Sequence, residues 1–220
     1  MKAIIKRILS PILQKASAVY LKKRRKYSYN NITVWVEPTV FPPFITISTK
    51  LLLDFIDTLS LKDKTVLELG CGCGIISILA AQKGAVVTAT DINDVALSAL
   101  HQNAKDNLVS MAILQSDLFE KLQGKTFDYI IMNPPYYPKS PTSIAENAWF
   151  CGENFEYFER LFQQLPAYLN ATNTTYMILS EDCELEKIKA IALQNDIAFD
   201  LILEKKVALE SNFIFELKKL

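Results

Sequence analysis

From Lys64 to the C-terminus, short apolar runs alternate with stretches whose apolar residues recur every three or four positions. Strands buried on both faces read as continuous apolar runs, and helices covering a sheet carry one apolar face, so the alternation predicts a parallel sheet with helices on both sides. The pattern places strands at 65–69, 85–90, 111–115, 127–132 and 174–179, and helices at 75–83, 94–107, 153–169 and 184–194. Residues 198–203 and 212–217 are two more strand patterns joined by a stretch that allows only a hairpin-like return, which puts one antiparallel strand at the end of the sheet's sequence order. Upstream, Ile32–Val36 alternates as a strand, and Ser48 or Thr49 is expected to cap a helix over 50–59. Between them lies a proline-rich connector, 37–44, held extended because a residue before proline is pushed out of the helical region. Ser10 and Pro11 open a short amphipathic helix that runs to Tyr20.

Composition narrows this to one compact domain. Of 220 residues half are apolar and 22% charged, with six glycines and nine prolines, which excludes disordered, collagen-like and disulfide-scaffold chains. No apolar run reaches the roughly 20 residues of a membrane-spanning helix, and Lys6, Arg7, Pro11, Gln14 and Lys15 break up any secretory signal. Cys71 and Cys73 sit in a glycine-rich turn, with Cys151 and Cys183 far away, so neither a metal site nor a disulfide framework is expected. Reduced thiols and a cytoplasmic location follow. The formal net charge of zero hides an asymmetry: residues 1–30 carry nine Lys or Arg and no acid, leaving 15 basic against 24 acidic groups in the rest. The reading is a basic arm over 1–30 on an acidic domain over 31–220.

Four strand ends carry candidate chemistry. After the strand 65–69, Gly70, Gly72 and Gly74 alternate through a turn that opens a helix, where backbone can approach a ligand closely and free N–H groups face it. The spacing departs from the Gly-x-Gly-x-x-Gly dinucleotide fingerprint, with Ile75 where the third glycine would stand, and Glu68 would sit badly beside phosphates but suits a cofactor with a cationic amino-acid end. Asp91 ends the next strand, where a carboxylate can accept both hydroxyls of a ribose or cap the helix beginning near Asn93; adenosine is the implied group. Asp117, after the third strand, is placed either to accept from an adenine amino group or as a turn residue. The fourth strand ends in Asn133-Pro134-Pro135-Tyr136. Two prolines stop the ladder and remove two donors, leaving the Asn133 amide and the Pro134 carbonyl as acceptors and the Tyr136 ring as a stacking wall, a pocket for a planar amide or exocyclic amine.

From Glu68 to Tyr136 these residues resemble the class I S-adenosylmethionine-dependent methyltransferases, within them the branch carrying Asn-Pro-Pro-Tyr, which includes release-factor glutamine methyltransferases and small-domain enzymes of RNA bases. The resemblance covers most of 31–220 and implies a Rossmann-like, seven-stranded, mostly parallel sheet with helices on both faces and a reversed terminal hairpin. It implies S-adenosyl-L-methionine held by Glu68, Gly70, Gly72 and Gly74 at its methionine part, by Asp91 at the ribose and by Asp117 at the adenine. Asn133 and Pro134 would hold the nitrogen to be methylated and Tyr136 would stack on its plane, catalysis needing geometry and no metal or strong base. The stretch 148–157 resembles the segment that closes over substrate in the glutamine enzymes, while their usual Arg-Pro-x-Thr-Glu segment is replaced here by the connector 37–44. The only histidine, His101, is expected on a helix surface.

The expected substrate is therefore macromolecular, RNA or a translation-associated protein. Lys22, Lys23, Arg24, Arg25 and Lys26, flanked by Tyr20, Tyr27 and Tyr29, combine phosphate-neutralising charge with rings that could stack on bases. A solvated helix end and a membrane-surface helix are the competing readings of this run, and a small-molecule methyltransferase or a catalytically silent RNA-binding module the competing readings of the whole.

Overall fold

The sheet grows outward from a central strand, β3 (Thr65–Leu69), whose side chains are almost all buried. A computed structural model describes residues 22–207 and 210–220; the helix expected over 12–20 lies outside them. On one side of β3 lie β4 (Val86–Asp91) and β5 (Ala112–Gln115), on the other β6 (Tyr129–Met132) and β7 (Thr174–Ser180), all parallel. The terminal hairpin adds β8 (Ile197–Val207) and β9 (Glu210–Lys219), with β9 inserted antiparallel between β7 and β8, giving the order β5-β4-β3-β6-β7-β9-β8. The order reverses between β3 and β6, and in open α/β sheets that switch point opens a crevice at the carboxyl ends of the strands.

Residues of each strand alternate between two cores. Val66 and Ile131 face the one covered by α1 (Ile47–Asp57), α2 (Ile75–Gln82) and α3 (Asp94–Asp106), while Leu67 and Met132 face the one under α4 (Glu156–Gln164) and α5 (Leu185–Leu193). No helix among the described residues is long and apolar enough to cross a membrane. Two helix boundaries correct the sequence reading. α1 starts at Ile47 with no side-chain cap, and Ser48 and Thr49 are buried within its first turn, Ser48 pairing its hydroxyl with that of Thr46 at 3.1 Å. The helix expected over 153–169 is α4 followed by a 3₁₀ turn at Leu165–Ala167, because Pro166 has no N–H to continue the ladder.

A second, two-stranded sheet was only half legible. β2 (Ile32–Val36) was expected, whereas β1 (Arg25–Tyr29), running antiparallel to it, was hidden in the basic run. Alternation along β1 leaves Lys26 and Ser28 exposed. Tyr27 and Tyr29, expected as rings for bases, instead pack on the first core, and the Tyr29 hydroxyl donates to Asp54 at 3.1 Å. Burial and the Asp54 carboxylate together push that hydroxyl up to about 12.

The free edge of β2 is paired by side chains. Asn103 of α3 accepts from the Trp35 N–H at 2.8 Å and donates to the Trp35 carbonyl at 2.9 Å; Asn107 does the same for Thr33 at 3.1 and 2.8 Å. Four residues of helix rise about 6 Å and two residues of strand about 6.7 Å, so two amides at that helical spacing match alternate residues of an extended strand. Asn103 also donates to the carbonyl of Cys73 at 3.0 Å, tying the hairpin to the turn that follows β3. Asn103→Ala strands three backbone groups, one of them buried, and is expected to cost about 2–3 kcal/mol in urea unfolding, against about 1 kcal/mol or less for the more exposed Asn107→Ala. Equal losses would remove Asn103 as the tie.

Candidate active site

The turn between β3 and α2 is free of bulky side chains and is pinned from outside. Gly70, Gly72 and Gly74 have φ of +76°, +52° and +76°, the left-handed region that disfavours other residues. A Cβ on Gly74 would lie 2.0 Å from Leu100 Cδ1, whereas one on Gly70 would meet only open space. The N–H groups of Gly70 and Cys71 both donate to the Thr90 carbonyl, at 2.9 and 2.8 Å, and that of Gly72 donates to Asp91 Oδ2 at 2.8 Å. α2 has Gly74 as its N-cap, with no side chain to offer. Glu68 takes that role from beneath: its Oε2 accepts from the Ser77 N–H at 2.8 Å and from the Ser77 hydroxyl. Burial pushes the Glu68 carboxyl up to about 8, against the pull of the Ser77 hydrogen bonds and with the help of the Asp91 charge.

Above this turn lies a cavity of about 300 Å³ at the carboxyl ends of the strands. Glu68, Gly70, Gly72, Asp91, Asp117 and Asn133 all line it, so the signals of four strand ends converge on one space. Asp91 Oδ1 accepts from the Asn93 N–H at 2.9 Å, and burial raises the carboxyl's pKa. The cap of α3 is Asn93 itself, accepting from the Val95 N–H at 3.0 Å, so Asp91 anchors the glycine turn and leaves the capping to its neighbour. Asp117 is held by Arg160 of α4, with Nη2 2.6 Å from its carboxylate. The Asn133 side chain makes no hydrogen bond to any described residue.

Tyr136 lies elsewhere. It is 8% exposed, packed in the second core, with its ring 4.8 Å from that of Tyr137, and burial raises its hydroxyl's pKa. Pro134 is buried beside it, and the cavity wall is formed by Pro135 and Phe150. Phe150 belongs to a loop that closes on itself: Tyr137 donates to the Trp149 carbonyl at 3.1 Å, and Cys151 donates to that of Tyr137 at 2.9 Å. Across the mouth, Thr39, Val40 and Phe41 of the connector complete the wall, and Phe41 meets Trp149 with ring centroids 4.9 Å apart. Of the stretch 148–157 singled out in the sequence, Phe150, Glu156 and Tyr157 line the cavity, while sequence reasoning missed these connector residues and Arg160. The substitution of the connector for the usual family segment was the one available sign of the former; nothing local marks the latter.

The remaining ionisable groups set limits. The four cysteine thiols are buried, and burial pushes Cys73 up to about 12, so they stay neutral. Among the described residues no group of three or more His, Cys, Asp or Glu is placed to hold a metal ion. His101 lies exposed on α3. The cavity fits the cofactor that the resemblance implies: its size is that of a small-molecule site, Gly70 opens onto space that a side chain would fill, and a fully buried carboxyl with one oxygen outside the Ser77 bonds awaits a cation.

The family described as Methyltransferase small domain matches residues 31–187. A Methanocaldococcus jannaschii protein, provisionally named a protein N5-glutamine methyltransferase, is 35% identical over 177 residues, covering 76% of this chain and 87% of that one. A ribosomal RNA small subunit methyltransferase C of Haemophilus influenzae is 38% identical over 177 residues, 75% of this chain and 52% of the relative. The chain thus spans about half the length of that relative. A T. thermophilus 16S rRNA methyltransferase solved with AdoMet and guanosine shares the fold, with a TM-score of 0.66 at 20% identity over 90% of this chain and 51% of that one.

A pH profile tests the buried carboxyl. Because Glu68 holds its proton to about pH 8 in the folded chain and releases it near 4.5 unfolded, its contribution to the stability of the ligand-free protein is complete below about 4.5 and is lost as pH rises through about 8. Glu68→Gln should flatten the fall in urea-unfolding free energy over that window; an unchanged slope would assign it to other groups.

Proposed function

Because the chain belongs to the methyltransferase small-domain family and takes S-adenosyl-L-methionine as its methyl donor, we propose that it methylates a planar nitrogen, an amide or an exocyclic amine, on a macromolecule. The observation that carries this is Asn133: an amide just past the end of β6 with no hydrogen-bond partner among the described residues, on the wall of the same cavity as the glycine turn. The relatives named for a protein glutamine and for ribosomal RNA keep both acceptor classes in view, a glutamine side chain and an RNA base.

In this reading Glu68 takes the cofactor's ammonium, Gly70 and Gly72 let the backbone approach its methionine part, Asp91 accepts from the ribose and Asp117 from the adenine, while Gly74, expected among them, does not line the cavity and packs against Leu100. The cofactor supplies a methyl group already made electrophilic by a sulfonium. The protein's task is geometric: the Asn133 Oδ1 accepts one N–H of the substrate nitrogen, and the role expected of the Pro134 carbonyl, accepting the other, requires that buried residue to turn towards the cavity; together they would fix the nitrogen's plane and aim its lone pair. Stacking on the substrate falls to Phe41 and Phe150, which already face the cavity; the role expected of Tyr136 requires its ring to leave the core. A base within a duplex must first be unstacked to reach this pocket.

Two measurements test the proposal. Purified protein mixed with methyl-labelled S-adenosylmethionine and an extract of cells lacking the gene should label macromolecules; loss of label to ribonuclease identifies an RNA base, and loss to protease a glutamine. Tight cofactor binding with no macromolecular label would replace this reading by a small substrate or a silent binding module. Asn133→Ala should leave cofactor affinity within about twofold and lower turnover by about 10²–10³, the effect of removing one transition-state contact. Full activity would remove Asn133 from the mechanism.

A further inference from the structure

We propose that the outer face of the β1–β2 hairpin is a docking surface for the sugar-phosphate backbone of single-stranded RNA, distinct from the methyl-transfer pocket. The proposal rests on the macromolecular reading above and selects RNA within it. Residues 22–36 carry five cations and no acid, and no Asp or Glu precedes them in the chain. Lys22, Lys23, Arg24 and Lys26 make no ion pair among the described residues. Two of them are nevertheless fixed. The Arg24 guanidinium lies 4.4 Å from the centroid of the Trp35 indole and the Lys26 ammonium 4.8 Å. A carboxylate partner would neutralise a cation while ordering it; an indole orders it and leaves its charge available to a phosphate. The platform is itself rigid, since the Asn103 and Asn107 amides hold β2 along its free edge.

Shape and charge give the surface a direction. Beside Arg24 and Trp35 a concavity opens towards α3, lined by Val95, Ser98, Gln102 and one carboxylate, Glu37. It offers an apolar floor, a ring edge and an amide beside a guanidinium, a combination that accommodates a base next to a phosphate. β2 leads within a few residues into the connector, whose Thr39 and Phe41 line the methyl-transfer cavity, so a strand lying on the hairpin ends near the mouth. On the other rim Glu156 lines the cavity, and Glu181, Asp182 and Glu184 are exposed beyond the end of β7. Lys139 over the Phe150 ring and Lys187 over Phe155 offset part of that negative charge, whereas residues 22–36 hold five cations and no acid, so a polyanion is drawn more strongly to the hairpin side.

The test measures anisotropy of a fluorescein-labelled 20-nucleotide RNA of mixed sequence on the full chain, with and without cofactor, for the wild type and for Arg24→Gln/Lys26→Gln. Both side chains are exposed, so cofactor affinity and thermal midpoint should stay unchanged while RNA affinity falls at least tenfold and the slope of log K against log salt shrinks by about 1.4, two phosphates at about 0.7 each. A control pair on the edge strand, Lys205→Gln/Lys206→Gln, should leave RNA affinity unaltered. Undiminished RNA binding by the hairpin variant, an equal loss in the control pair, or polyglutamate competing as well as unlabelled RNA would each overturn the assignment, the last in favour of an acidic protein. The two proposals fail separately: hairpin-dependent RNA binding without transferred label would leave the docking surface and remove the methyl-transfer reading, and label in protein without RNA binding would do the reverse.

Discussion

The site depends on how a helix is started without a capping side chain. The first N–H groups of a helix need partners, and the usual remedy places a polar side chain at the N-cap, in the space a ligand would occupy. Here the N-cap is Gly74, in the left-handed conformation, and the acceptor comes from the strand below, where Glu68 meets Ser77. Asp91 pins Gly72 in the same manner from the neighbouring strand. The turn is therefore rigid yet bare on its upper side. The cost is a carboxyl held out of water with a pKa near 8, a group whose ionised form is stabilised as soon as a cation lies beside it. The same residue that builds the turn thus favours a positively charged ligand above it.

The turn is also linked to parts of the chain far away in sequence. Asn103 bonds at once to Trp35 in the hairpin and to Cys73 in the turn, and Asn93 donates to the Thr39 carbonyl at 3.0 Å in the connector. Helix α3 thereby holds the glycine turn, the hairpin and the connector in one frame. A buried amide on an otherwise apolar helix face is costly unless all its bonds are made, and Asn103, 1% exposed, makes them to three backbone groups. The connector wall of the cavity is in this way referenced to its floor.

What the sequence disclosed follows from range. The parallel strands were legible because burial on both faces leaves an unbroken apolar run, and the strand-end signals at Glu68, Asp91, Asp117 and Asn133 followed because a parallel sheet with right-handed crossovers brings all carboxyl ends to one side. β1 was obscured because five successive cations read as a solvated run, although the alternation of Lys26 and Ser28 with Tyr27 and Tyr29 was present. The Asp117–Arg160 pair joins residues 43 apart, and no local pattern marks it. Tyr136 shows a different limit: the two prolines before it fix where the chain stops pairing, but the direction of the ring is decided by Tyr137 and the core behind it.

The cavity divides into two halves of different origin. Its floor, from Glu68 through Asp91 to Asp117, consists of strand ends and tight turns whose geometry the sheet dictates. Its mouth is made where the connector and the loop after β6 meet, with Phe41 against Trp149 as the contact between them. Neither segment is fixed by sheet pairing beyond the single bridge of Tyr137 to Phe150, so length and sequence there can change without disturbing the floor. Binding of the donor is accordingly a property of the fold, while the part of the cavity free to vary is the pair of loops at its mouth. The cations of the hairpin lie just before the connector, whereas Glu156 and Arg160 of α4 and Lys139, 4.5 Å from the Phe150 ring, put both signs of charge beside the other loop.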